Sequence, residues 1–486
     1  MSGDGAMVLQ AELLRSYVPA LLASGFVARP VPLDAPGVER LPAAVVFADI
    51  SGFTPLAERL ARRGPAGAEE LSTLLNAYFA KLTTLIAGRG SEVLTFAGDG
   101  LLAVWPATDD DADLATATGD AGRCALAVQS ALGSYQTVDG LRLLLRVGIG
   151  ASEVMALRVG GVGERWQLLL PGAPVVQCGL AEQQAVRGEV VLSPHAWELA
   201  RGACTGERLA TGGVRLMTAA VSTGARAGSR GARELSDEVV RAYVPEVVAA
   251  RLAAGQAEWL AELRRISAVF VNLLDVDPAA VGLLEPVQLA MAAIQPILQR
   301  YEGSLKQVAV DDKGLTLIAV FGLPLLAHED DPARATRAAM AVQAALGGLG
   351  LGAIGLASGR AFCGAVGGDV HRDYDVIGEV MNVTARLMQA AGDGILCDDA
   401  TSHAARAHLR FQALPRIQVK GKADPVAVCR PVEPVRDLAS PRAMRGPRGT
   451  PTTSTTLRQP RHHGTGEFRR TLCGALGTMA PHDRRA

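Results

Sequence analysis

Residues 45–54 read VVFADISGFT. Val45, Val46, Phe47 and Ala48 form a short apolar run, the mark of a buried strand. Asp49 then puts a bare carboxylate where that strand leaves the core. Gly52 follows, a residue that lets backbone approach a ligand closely. Phe53 and Thr54 after it open a helix.

Working outward, a helical stretch runs from about Phe53 to Ala87, and Gly64-Pro65 divides it in two. SEVLTFAGDGLLAVW (91–105) is two apolar runs around Gly98-Asp99-Gly100, a hairpin signature. Residues 110–132 read as a helix, LRLLLRVGIGA (141–151) as a strand, Pro174–Arg187 as a helix and GEVVLS (188–193) as a strand. The order β-α-β-β-α-β is the ferredoxin-like split unit, so the expected class is α+β. In that topology strand one lies antiparallel beside strand three. Asp49, at the end of strand one, and Asp99, at the tip of the second turn, should therefore meet at one sheet edge.

The chain repeats this unit. RSYVPALL at 15 returns as RAYVPEVV at 241, AVVFADI at 44 as SAVFVNL at 267, LLAVWP at 101 as LIAVFG at 317, and RVGIGASE at 146 as GAIGLASG at 352. Ordered echoes at offsets falling from 226 to 206 mark a duplication. The expected organisation is an N-terminal helical segment (1–40), a first ferredoxin-like domain (41–200), a linker (201–240), a helical segment (241–264), a second domain (265–435) and a basic tail (436–486). The two domains would form a pseudo-dimer within one chain. The tail carries ten Arg against Asp437, Glu467 and Asp483 and has no hydrophobic period, so it should be disordered.

Bulk properties exclude several classes. A net charge of −1 over 486 residues gives no pull toward nucleic acid. No run approaches the roughly 18 apolar residues of a membrane span, and the N-terminus lacks the basic start of a signal peptide. The seven cysteines include no CxxC pair, as in a reduced, cytoplasmic protein.

Paired carboxylates with no His or Cys nearby suit hard, oxygen-preferring cations such as Mg²⁺ or Mn²⁺. The free N–H groups of the helix opened by Gly52, Phe53 and Thr54 suit phosphate. Metal and phosphate together point to a nucleoside triphosphate. Each Asp alone also reads as a turn residue or helix cap.

FADISGFT, FAGDGLLAVW and DYDVIGEVMNVTAR together resemble the class III nucleotidyl cyclases, and the duplication resembles the soluble, bicarbonate-responsive adenylyl cyclases. The resemblance covers about 40–200 and 265–432. It implies head-to-tail domains with a shared active site, two divalent cations, and conversion of ATP to cyclic AMP and pyrophosphate. Asp49, Ile50 and Asp99 match the metal site, with Gly52, Phe53 and Thr54 beside the phosphates. Lys313 and Asp375 match the adenine-reading pair; Asn382 and Arg386 match the ribose-orienting Asn and the transition-state Arg. Arg146 and Lys420 are candidates for the leaving pyrophosphate. Asn272 stands in the second half where Asp49 stands in the first, and Val176 and Leu180 stand near the places of Asn382 and Arg386. One working and one degenerate site are implied. Taken singly, Lys313 also reads as a solvated hairpin lysine, Lys420 as part of a basic turn, and Asn382 and Arg386 as i, i+4 neighbours on any helix. The alternatives are a guanylyl cyclase or a catalytically silent nucleotide-binding module.

Bicarbonate-responsive relatives carry a Lys before Phe-Ala-Gly-Asp and an Arg in the degenerate-site helix; here those places hold Thr95 and Gly179. Insensitivity to bicarbonate is expected. The segments Ala11–Ser24 and Glu238–Ala254, each with a central Tyr-Val-Pro, should pack as helices on the domains. The first of them, or the basic tail, could receive a regulatory protein.

Overall fold

The computed structural model describes residues 11–434, apart from 24–34, 52–55, 57–58, 61–62, 99, 109–110, 134–142, 221–234, 256–260, 274–279, 281, 312–313, 348–351 and 419–424. Gly52, Phe53, Thr54, Asp99, Lys313, Lys420 and the basic tail lie outside the described residues.

Two sheets of eight strands are built to one plan. The first comprises β1 (Gly37–Ser51), β2 (Glu92–Ala97), β3 (Gly100–Pro106), β4 (Leu144–Gly160), β5 (Trp166–Leu169), β6 (Val190–Leu192), β7 (Cys204–Arg208) and β8 (Val214–Ala219). Its order is β2-β3-β1-β4-β6-β8-β7, with β5 paired to β4. The second comprises β9 (Ala261–Leu273), β10 (Ser304–Asp311), β11 (Gly314–Phe321), β12 (Ala353–Gly367), β13 (Arg372–Ile377), β14 (Ile395–Asp398), β15 (Leu409–Ile417) and β16 (Val426–Pro434). Its order is β10-β11-β9-β12-β14-β16-β15, with β13 paired to β12. Strands β2-β3-β1-β4 and β10-β11-β9-β12 are the expected ferredoxin-like arrangement, and the class is α+β.

Alternation along β1 divides its side chains between two faces. Ala44, Val46, Ala48 and Ile50 face the helices Pro65–Ala87 and Asp111–Leu132 in one core. Ala43 and Val45 face the other way, with Phe47 packed beside them. Asp49 falls on this second face, and Ile50 is left in the apolar core, with only its backbone available to a ligand. In the second sheet Val269, Val271 and Leu273 face the helices Leu284–Tyr301 and Asp331–Leu346, while Ala268 and Phe270 face away.

The halves complete each other's cores. The β12–β13 arm sends Phe362, Val366 and Ile377 into the core of the first half. The β4–β5 arm sends Met155, Leu157, Val159 and Leu169 into that of the second. Each such burial is worth roughly 1.5–3 kcal/mol against exposure. Glutamines fasten the second contact: Gln288 exchanges two 2.8 Å hydrogen bonds with the backbone of Gly160.

Several features differ from the sequence expectation. β1 begins at Gly37 and β9 at Ala261, each inside a segment expected to be helical, because pairing with β4 and with β12 carries the strands that far. The stretch from 201 was expected to be linker, yet β7 and β8 continue the first sheet to Ala219. Val214 and Leu216 are buried there, and β8 pairs with β6. The Tyr-Val-Pro leaders each touch both halves. The Arg372 amide donates to the Ser16 carbonyl, and Tyr17 and Val18 lie in the core of the second half, whereas Leu21 packs with Leu41 and Val45 of the first. In the other leader Arg165 donates to the carbonyls of Arg241 and Val244. Among the described residues no helix is long and apolar enough to cross a membrane.

Candidate active site

The strand registers put the two halves in one-to-one correspondence. Asp49 lies opposite Gly100 of β3 and Arg146 of β4. Asn272 lies opposite Thr316 of β11 and Ala353 of β12. Helix packing sets the next match. A Cβ on Gly148 would lie 1.9 Å from the Cys178 carbonyl and 2.4 Å from the Glu182 amide; on Gly355 it would lie 2.2 Å from the Thr384 carbonyl and 2.4 Å from the Met388 amide. Gly148 therefore corresponds to Gly355, one residue on from the sequence echo. Cys178 corresponds to Thr384 and Glu182 to Met388. By the same count Val176 and Leu180 correspond to Asn382 and Arg386.

In the first half Asp49, Arg146 and Glu182 form a charged cluster. Arg146 Nη2 lies 2.5 Å from Asp49 Oδ2 and 2.8 Å from Glu182 Oε1. Burial pushes the Glu182 carboxyl up to about 7, with Arg146 opposing the shift and Asp49 adding to it. The second half holds neutral Asn272, Ala353 and Met388 at these three places. Glu182 was missed from sequence, because only the close approach of its helix to Gly148 brings it to the strand end. The hairpin β2–β3 closes with Ala97 opposite Gly100, and Gly100 lies opposite Asp49.

The second half holds the complementary pair. Asp375 on β13 is fully buried, and Lys306 Nζ lies 2.8 Å from its Oδ1. The same oxygen accepts from the Val376 amide at 2.7 Å, and Lys306 also donates to Gln307. Asp375 Oδ2 is buried with no hydrogen-bond partner. Sequence reasoning paired Asp375 with Lys313; the lysine the structure sets against it is Lys306. Lys306 sits at a bulge, where the pairing of β10 with β11 skips from Leu305 to Gln307. In the first half the bulge falls between Val93 and Thr95, at Leu94. Gly364 lies opposite Asp375 as Leu157 lies opposite Leu169. Leu94 and Leu169 thus hold the places of Lys306 and Asp375.

A cavity of about 300 Å³ lies between the halves. Phe47, Leu94, Leu169 and Thr95 line it from the first half, Lys306 and Asp373 from the second. Asn382 is exposed on the helix Glu379–Ala390, and Arg386, one turn on, donates to Gln389 at 3.1 Å. Arg146, nominated for a phosphate, is held here by two carboxylates.

The described donors at the first half's strand end, the Asp49 carboxylate and the backbone at Ile50, are oxygens; Asp99, expected beside them, lies outside the described residues. That set fits a hard divalent cation. Among the described residues no three His, Cys, Asp or Glu side chains gather as a metal cluster.

Residues 39–213 match the family model of the adenylate and guanylate cyclase catalytic domain. Adenylate cyclase type 10 of Mus musculus is 28% identical over 428 residues, covering 81% of this chain and 26% of the relative. The Homo sapiens protein of that name is 26% identical over 447 residues, covering 85% and 27%. The chain thus spans about a quarter of the length of these relatives. Among solved structures, a class III adenylyl cyclase-like ATP-binding protein from Pseudomonas aeruginosa shares the fold. Its TM-score is 0.55 at 14% identity, covering 83% of this chain and 93% of that one. A match to the cyclase catalytic domain over residues 39–213, relatives aligned across both halves and two sheets of one topology together make this chain similar to the class III nucleotidyl cyclases.

Proposed function

We propose that the chain is an adenylyl cyclase that converts ATP to 3′,5′-cyclic AMP and pyrophosphate at one site between its halves. The observation that carries this reading is the asymmetry of matched positions. Asp49, Arg146 and Glu182 of the first half and Lys306, Asp375, Asn382 and Arg386 of the second make one polar set. Their counterparts are Asn272, Ala353, Met388, Leu94, Leu169, Val176 and Leu180, with no charge among them.

The purine pair favours adenine. Adenine presents an acceptor at N1 and a donor at N6. Lys306 can donate to the first, and the unpartnered Asp375 Oδ2 can accept from the second. Guanine presents the opposite signs to both, a mismatch that buried polar groups reject strongly. In the reaction the ribose 3′-oxygen bonds to the α-phosphorus, the bond from that phosphorus to the bridging oxygen breaks, and pyrophosphate leaves. The hydroxyl proton passes to solvent. Asn382 would orient the ribose and Arg386 meet the charge growing on the α-phosphoryl group. Arg146 would turn from Asp49 toward the leaving phosphates, with Lys420 a second candidate there. Two divalent cations, held by Asp49, the Ile50 backbone and Asp99, would lower the hydroxyl pKa and neutralise phosphate oxygens. The six described cysteines are free and buried, which suits a cytoplasmic setting.

A second reading, a silent nucleotide-binding module, is favoured by the Arg146–Asp49 contact, which occupies a carboxylate that a cation would need. Purified chain with ATP or GTP and Mg²⁺ or Mn²⁺, with products separated by chromatography, decides between them. Cyclic AMP from ATP, with GTP poorly used, is expected. Nucleotide binding with no cyclic product would overturn the cyclase reading.

A further inference from the structure

Asp373, two residues before Asp375 on β13, lies against the first half. Its Oδ2 accepts from the Phe96 amide at 2.7 Å and from Thr95 Oγ1 at 3.0 Å. The buried His371 ring stacks on Phe96 at 5.6 Å, and its Nε2 lies 3.6 Å from Asp373 Oδ1. One carboxylate oxygen thus ties β13, which carries the purine-facing Asp375, to β2, which leads into the hairpin of Asp99. Strand rise puts the bonded atoms about 7 Å from Asp375, and Phe96 precedes Asp99 by three residues in the sequence. The bond is one-sided. Val366 lies opposite Asp373 as Val159 lies opposite Gln167, and Thr95 corresponds to Gln307. Gln307 Oε1, however, accepts from Lys306. Among the described residues the latch forms only between β2 of the first half, which leads into the turn of Asp99, and β13 of the second, which carries Asp375.

We propose that Asp373 is a positioning residue: it sets the separation of the metal hairpin from the purine pair by holding β2 against β13. This rests on the cyclase reading above. Cyclisation needs the 3′-oxygen and α-phosphorus brought into line by groups from both halves. A misplacement near 1 Å costs about 100-fold in rate. Loss of the latch should therefore lower kcat more than it raises KM, because each half keeps its own contacts with substrate.

The test compares Asp373→Ala, Asp373→Asn and Thr95→Val, each checked for folding by thermal melting. Asp373→Ala should lower kcat about 10- to 100-fold with KM for ATP within about threefold. Asp373→Asn keeps an accepting oxygen and should stay within about threefold of wild type. Thr95→Val, which removes one donor and leaves the Phe96 bond, should fall between them and still report if Asp373→Ala fails to fold. Hydrogen exchange read without nucleotide should show the Phe96 amide losing protection in Asp373→Ala and regaining it in Asp373→Asn. Unchanged kcat per folded molecule, or an equally protected Phe96 amide in Asp373→Ala, overturns the proposal. A wild-type chain that forms no cyclic nucleotide sinks the cyclase reading instead, and the exchange measurement still decides whether the latch orders the hairpin.

Discussion

Leu94 and Lys306 occupy the same place in the two sheets, each at the bulge of its second strand. Beside them Leu169 and Asp375 correspond in turn. One position pair is apolar and the other is a buried ion pair within the same architecture, so the fold itself tolerates either.

That equivalence supplies a control. Removing one partner of a buried pair leaves the other charge uncompensated, so Lys306→Ala or Asp375→Ala should each cost about 3–5 kcal/mol in denaturant unfolding. Converting the pair together to leucines copies the first half. Lys306→Leu with Asp375→Leu should therefore match or exceed wild-type stability while ATP turnover falls at least about 100-fold and its preference over GTP disappears.

The strand-end residues should separate just as clearly. Asp49→Ala should lower turnover at least about 100-fold, whereas Asn272→Ala should leave it within about twofold. Chelation with EDTA should abolish the wild-type reaction, and added Mg²⁺ or Mn²⁺ should restore it. Full activity after chelation would remove the metal role.

Stability should carry a pH signature at Asp398, which caps the helix Asp399–Ala405 through Thr401 at 2.9 Å. Burial raises its carboxyl above the ordinary value of 3.8, although bonds from Thr401 and Ser358 pull the other way. A raised native value means that folding favours the protonated form. The contribution is present below the unfolded value and is lost as pH rises through the folded one. Asp398→Asn keeps the cap and cannot ionise. Its stability relative to wild type should therefore increase between pH 4 and pH 7, measured as the shift in urea midpoint.

Bicarbonate should not activate. The Thr95 hydroxyl is taken by Asp373, and a carboxylate at that place repels an anion. Gly179 offers no side chain, and the space around its Cβ direction is open. A several-fold rise in rate with bicarbonate at fixed pH would contradict this.

Much of the fold was legible because the signals are local. Asp49 at the end of an apolar run, Gly98 in a hairpin and the ordered echoes each need only a few neighbouring residues. What escaped depends on register and on contacts across the chain. Lys306 reaches Asp375 because β10 bulges between Leu305 and Gln307, and no residue type announces that skip. Glu182 joins Asp49 through a glycine beneath its helix. The strands β7 and β8 fall in a stretch expected to be linker; Thr205, Gly206, Glu207 and Arg208 are all exposed, which leaves little apolar alternation to see. The Tyr-Val-Pro leaders were expected to pack on the domains, but sequence did not say that each would touch both.

The exchanged arms bear on whether this chain could ever have worked in two pieces. Phe362, Val366 and Ile377 fill one core from the other half, and Met155, Leu157, Val159 and Leu169 return the favour. Fragments 1–220 and 235–435 made separately would each display a sticky apolar wound and aggregate. Made together they should knit into a heterodimer, each polypeptide chaperoning its sibling. Fusion of the duplicated genes would then have secured stoichiometry and freed one pocket from selection.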